Sequence, residues 1–189
     1  MFDNVSKSAN IDLRKEFDVL QNSFSIDILY IRTSKYIKCE CYNPLHKVGV
    51  PTCKKCLGRG YLNTIEKVSA ITHSMNYVQD GISISPIGNL TASDESFYFS
   101  HKVMPRIGDL VVVTLYNSRK EPVDVSAVYE IHSATPVRGD SGRVEIFASL
   151  CKLRADKLEQ IGSLVRGLSK TAKIYLSKGK RYIWPIKEK

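Results

Sequence analysis

The sequence predicts a mostly β, α+β fold: a small antiparallel β-barrel or sheet with an N-terminal helix, a four-cysteine insertion and a basic C-terminal arm. Three observations predict it. Short runs of β-branched and aromatic residues recur between turn residues over 102–153. Four cysteines crowd into residues 39–56. From Cys151 onward eleven Lys or Arg stand against three Asp or Glu, so +8 of the formal +9 lies at that end.

Taken in order, residues 10–22 have helical spacing, with Asn10 as the cap and Leu13, Phe17 and Leu20 on one stripe. Ile26 to Arg32 reads as a strand that continues through Tyr36-Ile37-Lys38, and a second runs from about Tyr61 to Asn76. Residues 78–105, rich in Gly, Ser, Asp and Pro, read as a loop with short strands at Ile82–Ile84 and Phe97–Phe99. Leu110 to Tyr116 is a buried strand, Val128 to Ile131 another, and Val144 to Phe147 a third after the turn at 139–142. Leu158, Ile161, Leu164, Val165 and Leu168 recur at helical spacing, and 174–186 alternate as a hairpin around Ser177-Lys178-Gly179-Lys180. These elements divide the chain into 1–77 (helix, strands and cysteine region), 78–153 (barrel or sheet) and 154–189 (basic arm).

Hydrophobic residues make up 43% and charged residues 25%, a globular composition. No apolar run reaches the roughly 18–20 residues that span a bilayer. Met1-Phe2-Asp3-Asn4 lacks the basic and apolar segments of a secretory signal, so a reducing compartment is expected. There, clustered cysteines are read as metal ligands before disulfides.

Cys39-x-Cys41 and Cys53-x-x-Cys56, separated by eleven residues, form two short pairs able to converge on one tetrahedral zinc ion. Gly58 and Gly60 let the backbone curl so that amide N–H groups point at the sulfurs. Lys38, Lys54, Lys55 and Arg59 are placed to offset the charge of about −2 that zinc with four thiolates carries. His46 is an alternative ligand within the loop, and Cys151 reads as a small buried hydrophobe. Four thiolates close the coordination shell, so the metal is expected to be structural. It would clamp the strands that end at 38 and begin at 61, around a loop with little to bury.

Neither a phosphate-binding Gly-rich loop nor a dinucleotide fingerprint is present, and the histidines at 46, 73, 101 and 132 are scattered. Asp94 and Glu95 read as solvated turn residues. The chain is therefore not expected to be an enzyme. Lys173, Lys178, Lys180 and Arg181, interleaved with Tyr175, Tyr182 and Trp184, are expected to contact a partner protein or nucleic acid. A zinc-containing nucleic-acid-binding protein with a basic tail is one reading of this pattern.

Another comes from a resemblance. Asp12-Leu13-Arg14-Lys15-Glu16-Phe17-Asp18, Ile28-Leu29-Tyr30-Ile31-Arg32, the two cysteine pairs with Leu57-Gly58-x-Gly60-Tyr61, then Gly108-Asp109-Leu110-Val111 and Val128-Tyr129-Glu130-Ile131 occur in that order. Over roughly 12–150 this series resembles virion proteins of tailed bacteriophages, of the small zinc-bearing neck or head–tail connector type. The Cys53–Gly60 pattern also resembles one zinc-binding repeat of DnaJ-type chaperones, which carry several, whereas one is present here. The connector resemblance implies a structural virion component with a small barrel, assembled in the host cytoplasm as a homo-oligomeric ring. It further implies contact with portal and other neck or tail proteins, and with packaged DNA or an acidic ring surface through the basic end, and no membrane.

Overall fold

A computed structural model describes residues 12–74, 94–139 and 142–184. The elements follow the chain as α1 (Leu13–Phe24), β1 (Ile26–Lys38), β2 (Tyr61–Ser74), β3 (Asp94–Ser100), β4 (Leu110–Tyr116), β5 (Pro122–Arg138), β6 (Val144–Leu153), α2 (Ala155–Arg166), α3 (Lys170–Ser177) and β7 (Tyr182–Trp184). Every strand pairing is antiparallel, in the order β1-β4-β5-β6-β3-β2, and β1 pairs with β2 to close a six-stranded barrel. Closure leaves few strand edges to protect. β7 adds to β2 beside Asn63–Ile65, where β3 no longer flanks it.

Alternation along β1 and β4 builds two cores. Ile28 and Tyr30 of β1 and Val111 of β4 point into the barrel with Ala70, Phe97, Phe99, Ile131 and Cys151, so each of the six strands contributes. Leu29, Ile31, Leu110 and Val112 point outward, beneath Ile161, Leu164 and Val165 of α2 and Ala172 and Leu176 of α3. β1 is thus buried on both faces over residues 28–31, which explains its unbroken apolar run. Cys151 is fully buried in the interior, as a small hydrophobe should be.

The mostly β reading with a helix near the N-terminus describes this architecture, and several details differ. Asn10 lies outside the described residues; α1 starts at Leu13, with the Asp12 carboxylate accepting from the Arg14 N–H as its cap. The second strand ends at Ser74, and Ile82–Ile84 lie outside the described residues. Asp94 and Glu95 begin β3 instead of forming a turn, and Glu95 accepts from the Thr72 hydroxyl. The strand seen in Val128–Ile131 is the middle of the 17-residue β5. Its Pro136 is tolerated because only β6 flanks the strand there, β4 having ended opposite Glu130.

The largest correction is at the C-terminal end. Over its described residues, 174–184, the segment does not form a hairpin: α3 covers Lys170–Ser177, capped by the Ser169 hydroxyl that accepts from the Ala172 N–H. Leu164 of α2, Leu168 in the link between the helices, and Ala172 and Leu176 of α3 are all buried in the outer core against the barrel wall. Over its described residues, 154–184 is therefore packed onto the barrel and does not extend as an arm. Strands on either side of residue 77 likewise share one sheet, so the barrel spans the boundary read there from composition.

Candidate metal centre

The cysteine loop is the connection of the β1–β2 hairpin. Lys38 pairs with Tyr61 at the hairpin's end, and the Cys39 N–H donates to the Gly60 carbonyl at 2.8 Å. Beyond that point tight turns replace sheet. Tyr42 N–H donates to Cys39 O, Cys53 N–H to Val50 O, Leu57 N–H to Cys53 O, and Arg59 N–H to Cys56 O. Leu57, Gly58 and Gly60 take left-handed backbone conformations, with φ of 54°, 82° and 78°. Gly49 serves a different need: a Cβ there would stand 2.5 Å from the Gly60 nitrogen and 2.9 Å from the Cys56 sulfur.

These turns bring the sulfurs of Cys39, Cys41, Cys53 and Cys56 within 4.8 Å of one another. Cys39 and Cys53 sulfurs are 3.8 Å apart, and those of Cys41 and Cys56 are 3.4 Å apart. A tetrahedral shell with Zn–S of about 2.3 Å requires S···S near about 3.8 Å. The four sulfurs are close enough to hold a metal ion, and an all-thiolate set is compatible with zinc. The Gly60 N–H donates to the Cys56 sulfur at 3.2 Å, the kind of backbone contact that orients a thiolate. Burial pushes the Cys56 thiol up to about 12. Burial raises Cys53 too, but the backbone N–H groups of Cys56 and Lys55 and the Cys41 thiol more than offset this and lower it to about 7.

His46 is exposed in the loop and is not in the cluster; its backbone N–H donates to the Asn43 side chain. Of the bases expected around the sulfurs, Lys55 pairs with Glu40 at 2.5 Å and Lys38 lies over the Tyr42 ring. Arg59 turns away from the sulfurs. Its NH1 donates to the Thr33 hydroxyl at 2.7 Å, and its NH2 lies 3.7 Å from Glu130, which Arg154 also engages closely.

Tertiary contacts dock the loop on the barrel. Leu57 is 3% exposed and belongs to the outer core with α2 and α3. Gln160 of α2 donates to the Cys53 carbonyl at 3.4 Å and Lys157 to the Leu57 carbonyl at 3.5 Å. Sequence reading missed Leu57, Glu130, Arg154 and Gln160; Leu57 alone, an apolar residue among Lys, Gly and Arg, carried a visible signal.

The four bases singled out near the C-terminus sit on α3 and in the turn from it to β7. Lys173 is half-buried on α3, Lys178 caps that helix, and Lys180 lies over the Tyr175 ring at 5.5 Å. Arg181 pairs with Glu66 of β2 at 2.9 Å. No helix among the described residues is long and apolar enough to cross a membrane.

Fold and site together define a small antiparallel β-barrel whose first hairpin carries a four-cysteine loop able to hold a metal ion. No protein-family model matches the chain, and no curated protein matches its sequence.

Proposed function

We propose that this protein is a structural component of a tailed-bacteriophage virion, of the neck or head–tail connector type. In this reading it is assembled as a ring and stapled by one zinc ion on Cys39, Cys41, Cys53 and Cys56. The observation that carries the assembly reading is the surface of α1. Phe17 is its buried residue, while Leu13, Val19, Leu20 and Phe24 are 42%, 61%, 48% and 69% exposed. A helix that presents so much apolar surface fits a contact face for a neighbouring chain. The virion location is supported by the ordered motif series from Asp12 to Ile131.

The zinc reading is supported by the all-thiolate donor set and its S···S spacing. Zinc supplies cross-linking here; the chain's own residues position the sulfurs and carry the contact faces. Elemental analysis of purified protein should give one zinc per chain, and Cys56→Ser should lose it. Equal metal content in both would overturn the assignment.

The test of location is stoichiometry. The protein should occur in purified virions at a fixed copy number, six or twelve, and loss of its gene should leave filled or leaking heads without joined tails. Phe24→Asp on the exposed face should block incorporation while leaving the unfolding midpoint of the isolated chain unchanged. Absence from virions ends the connector reading. Tight, steeply salt-dependent nucleic-acid binding by protein that is absent from particles would favour the nucleic-acid-binding alternative.

A further inference from the structure

Two adjoining pockets that share Arg59 and Glu130, about 510 and 410 Å³ in volume, form the lobes of a cleft beside the cysteine loop. Tyr61 and Ile107 wall the first, and Val48, Pro51 and Leu110 the second. Both sizes suit bound side chains and short peptide segments.

The charges lining this cleft do not balance. Arg59, Arg106, Arg154 and Lys157 face Asp109 and Glu130. Asp109 is already engaged from behind, accepting from the Tyr30 hydroxyl at 2.6 Å and from Arg32 at 3.3 Å. Glu130 is shared: Arg154 holds it closely, and Arg59 stands off at 3.7 Å. Arg154 has a second carboxylate in Asp156 at 2.8 Å, whereas the half-buried Arg59 has the shared Glu130 at 3.7 Å, the poorer share. Such a guanidinium is suited to a second carboxylate in paired geometry.

We propose that this cleft binds an extended acidic segment of another polypeptide, an Asp or Glu carboxylate meeting Arg59 while a neighbouring apolar side chain lies against Ile107 or Val48. Apolar walls favour a peptide over a nucleic-acid backbone: Ile107 is 74% exposed and Val48 50% exposed, one in each lobe. The inference deepens the assembly reading by giving a neighbouring chain a place to dock. The two fail separately: incorporation into particles does not depend on the probe used here, and peptide binding does not depend on particles.

The test is a titration of the isotope-labelled full chain, followed by NMR, with acetyl-Leu-Glu-Leu-Asp-Leu-amide and with its Gln/Asn counterpart. The acidic peptide should shift the Gly49 and Gly108 amides and the Arg59 Nε–H, and bind at least about tenfold more tightly than the neutral one. Arg59→Gln should remove that preference, and Arg59→Lys should restore only part of it, since an ammonium is a point charge. If Arg59→Gln misfolds, the comparison of the two peptides on the unaltered chain still decides. Equal binding of both peptides, no shifts at millimolar peptide, or displacement of the acidic peptide by a short oligonucleotide would overturn the proposal.

Discussion

Leu57 shows how opposing terms are settled at one residue. Its φ of 54° costs a non-glycine residue about 1–2 kcal/mol. Burying the side chain at 3% exposure returns roughly 2–3 kcal/mol. Burial wins, so Leu57→Gly should destabilise the chain in denaturant unfolding even though it relieves the backbone; a stabilised variant would refute the packing assigned to it. At Gly49 steric space decides. Gly49→Ala would drive a methyl into the Gly60 backbone and the Cys56 sulfur. Metal affinity measured by chelator competition should fall by about 10–100-fold, the range for groups that orient ligands. Val112, fully buried between barrel and helices, is the matching test of the core. Val112→Asp should cost on the order of 4 kcal/mol by burying an unpaired charge. Ile146 sits in a comparable apolar strand run, yet it is only half-buried, because β6 turns that face toward the surface.

Among the elements, the cysteine loop and α2 act as one unit. Leu57 packs under α2, Gln160 and Lys157 reach the loop carbonyls, and Glu130 ties Arg59 to Arg154 at the helix start. Stripping the metal should therefore raise amide hydrogen exchange in residues 155–166 as well as in 39–60, while β3 and β6 on the far side keep their protection. Confinement of the change to the loop would show that docking and metal binding are independent. The paired cysteines, the glycines after them and the strand Leu110–Tyr116 were legible as local patterns. Of β5 only the middle, Val128–Ile131, was, since Asp124, Ser126, Ser133 and Thr135 interrupt its apolar run at positions where one face meets solvent. α3 was mistaken for a hairpin because eight residues show two alternations almost as well as two helical turns.

For the whole molecule, the C-terminal segment matters most. As an arm, residues 170–189 could be removed without harm to the barrel. In the structure Ala172 and Leu176 are fully buried and β7 pairs with β2. Their removal should lower stability by on the order of 3 kcal/mol, read from denaturant unfolding, as the outer core beneath them opens to water. An unchanged midpoint would return the segment to the status of an arm. What the sequence alone determined was local: strand-forming runs, the helical stripe of α2, and four thiols spaced for one metal, each set by neighbours a few residues apart. Tertiary structure decided the rest. The pairing of β1 with β4, the docking of the cysteine loop through Leu57, and the folding of a basic tail onto the wall join residues roughly 80 to 120 positions apart. No periodicity records such pairings, because they depend on which apolar faces remain uncovered once the local elements have formed.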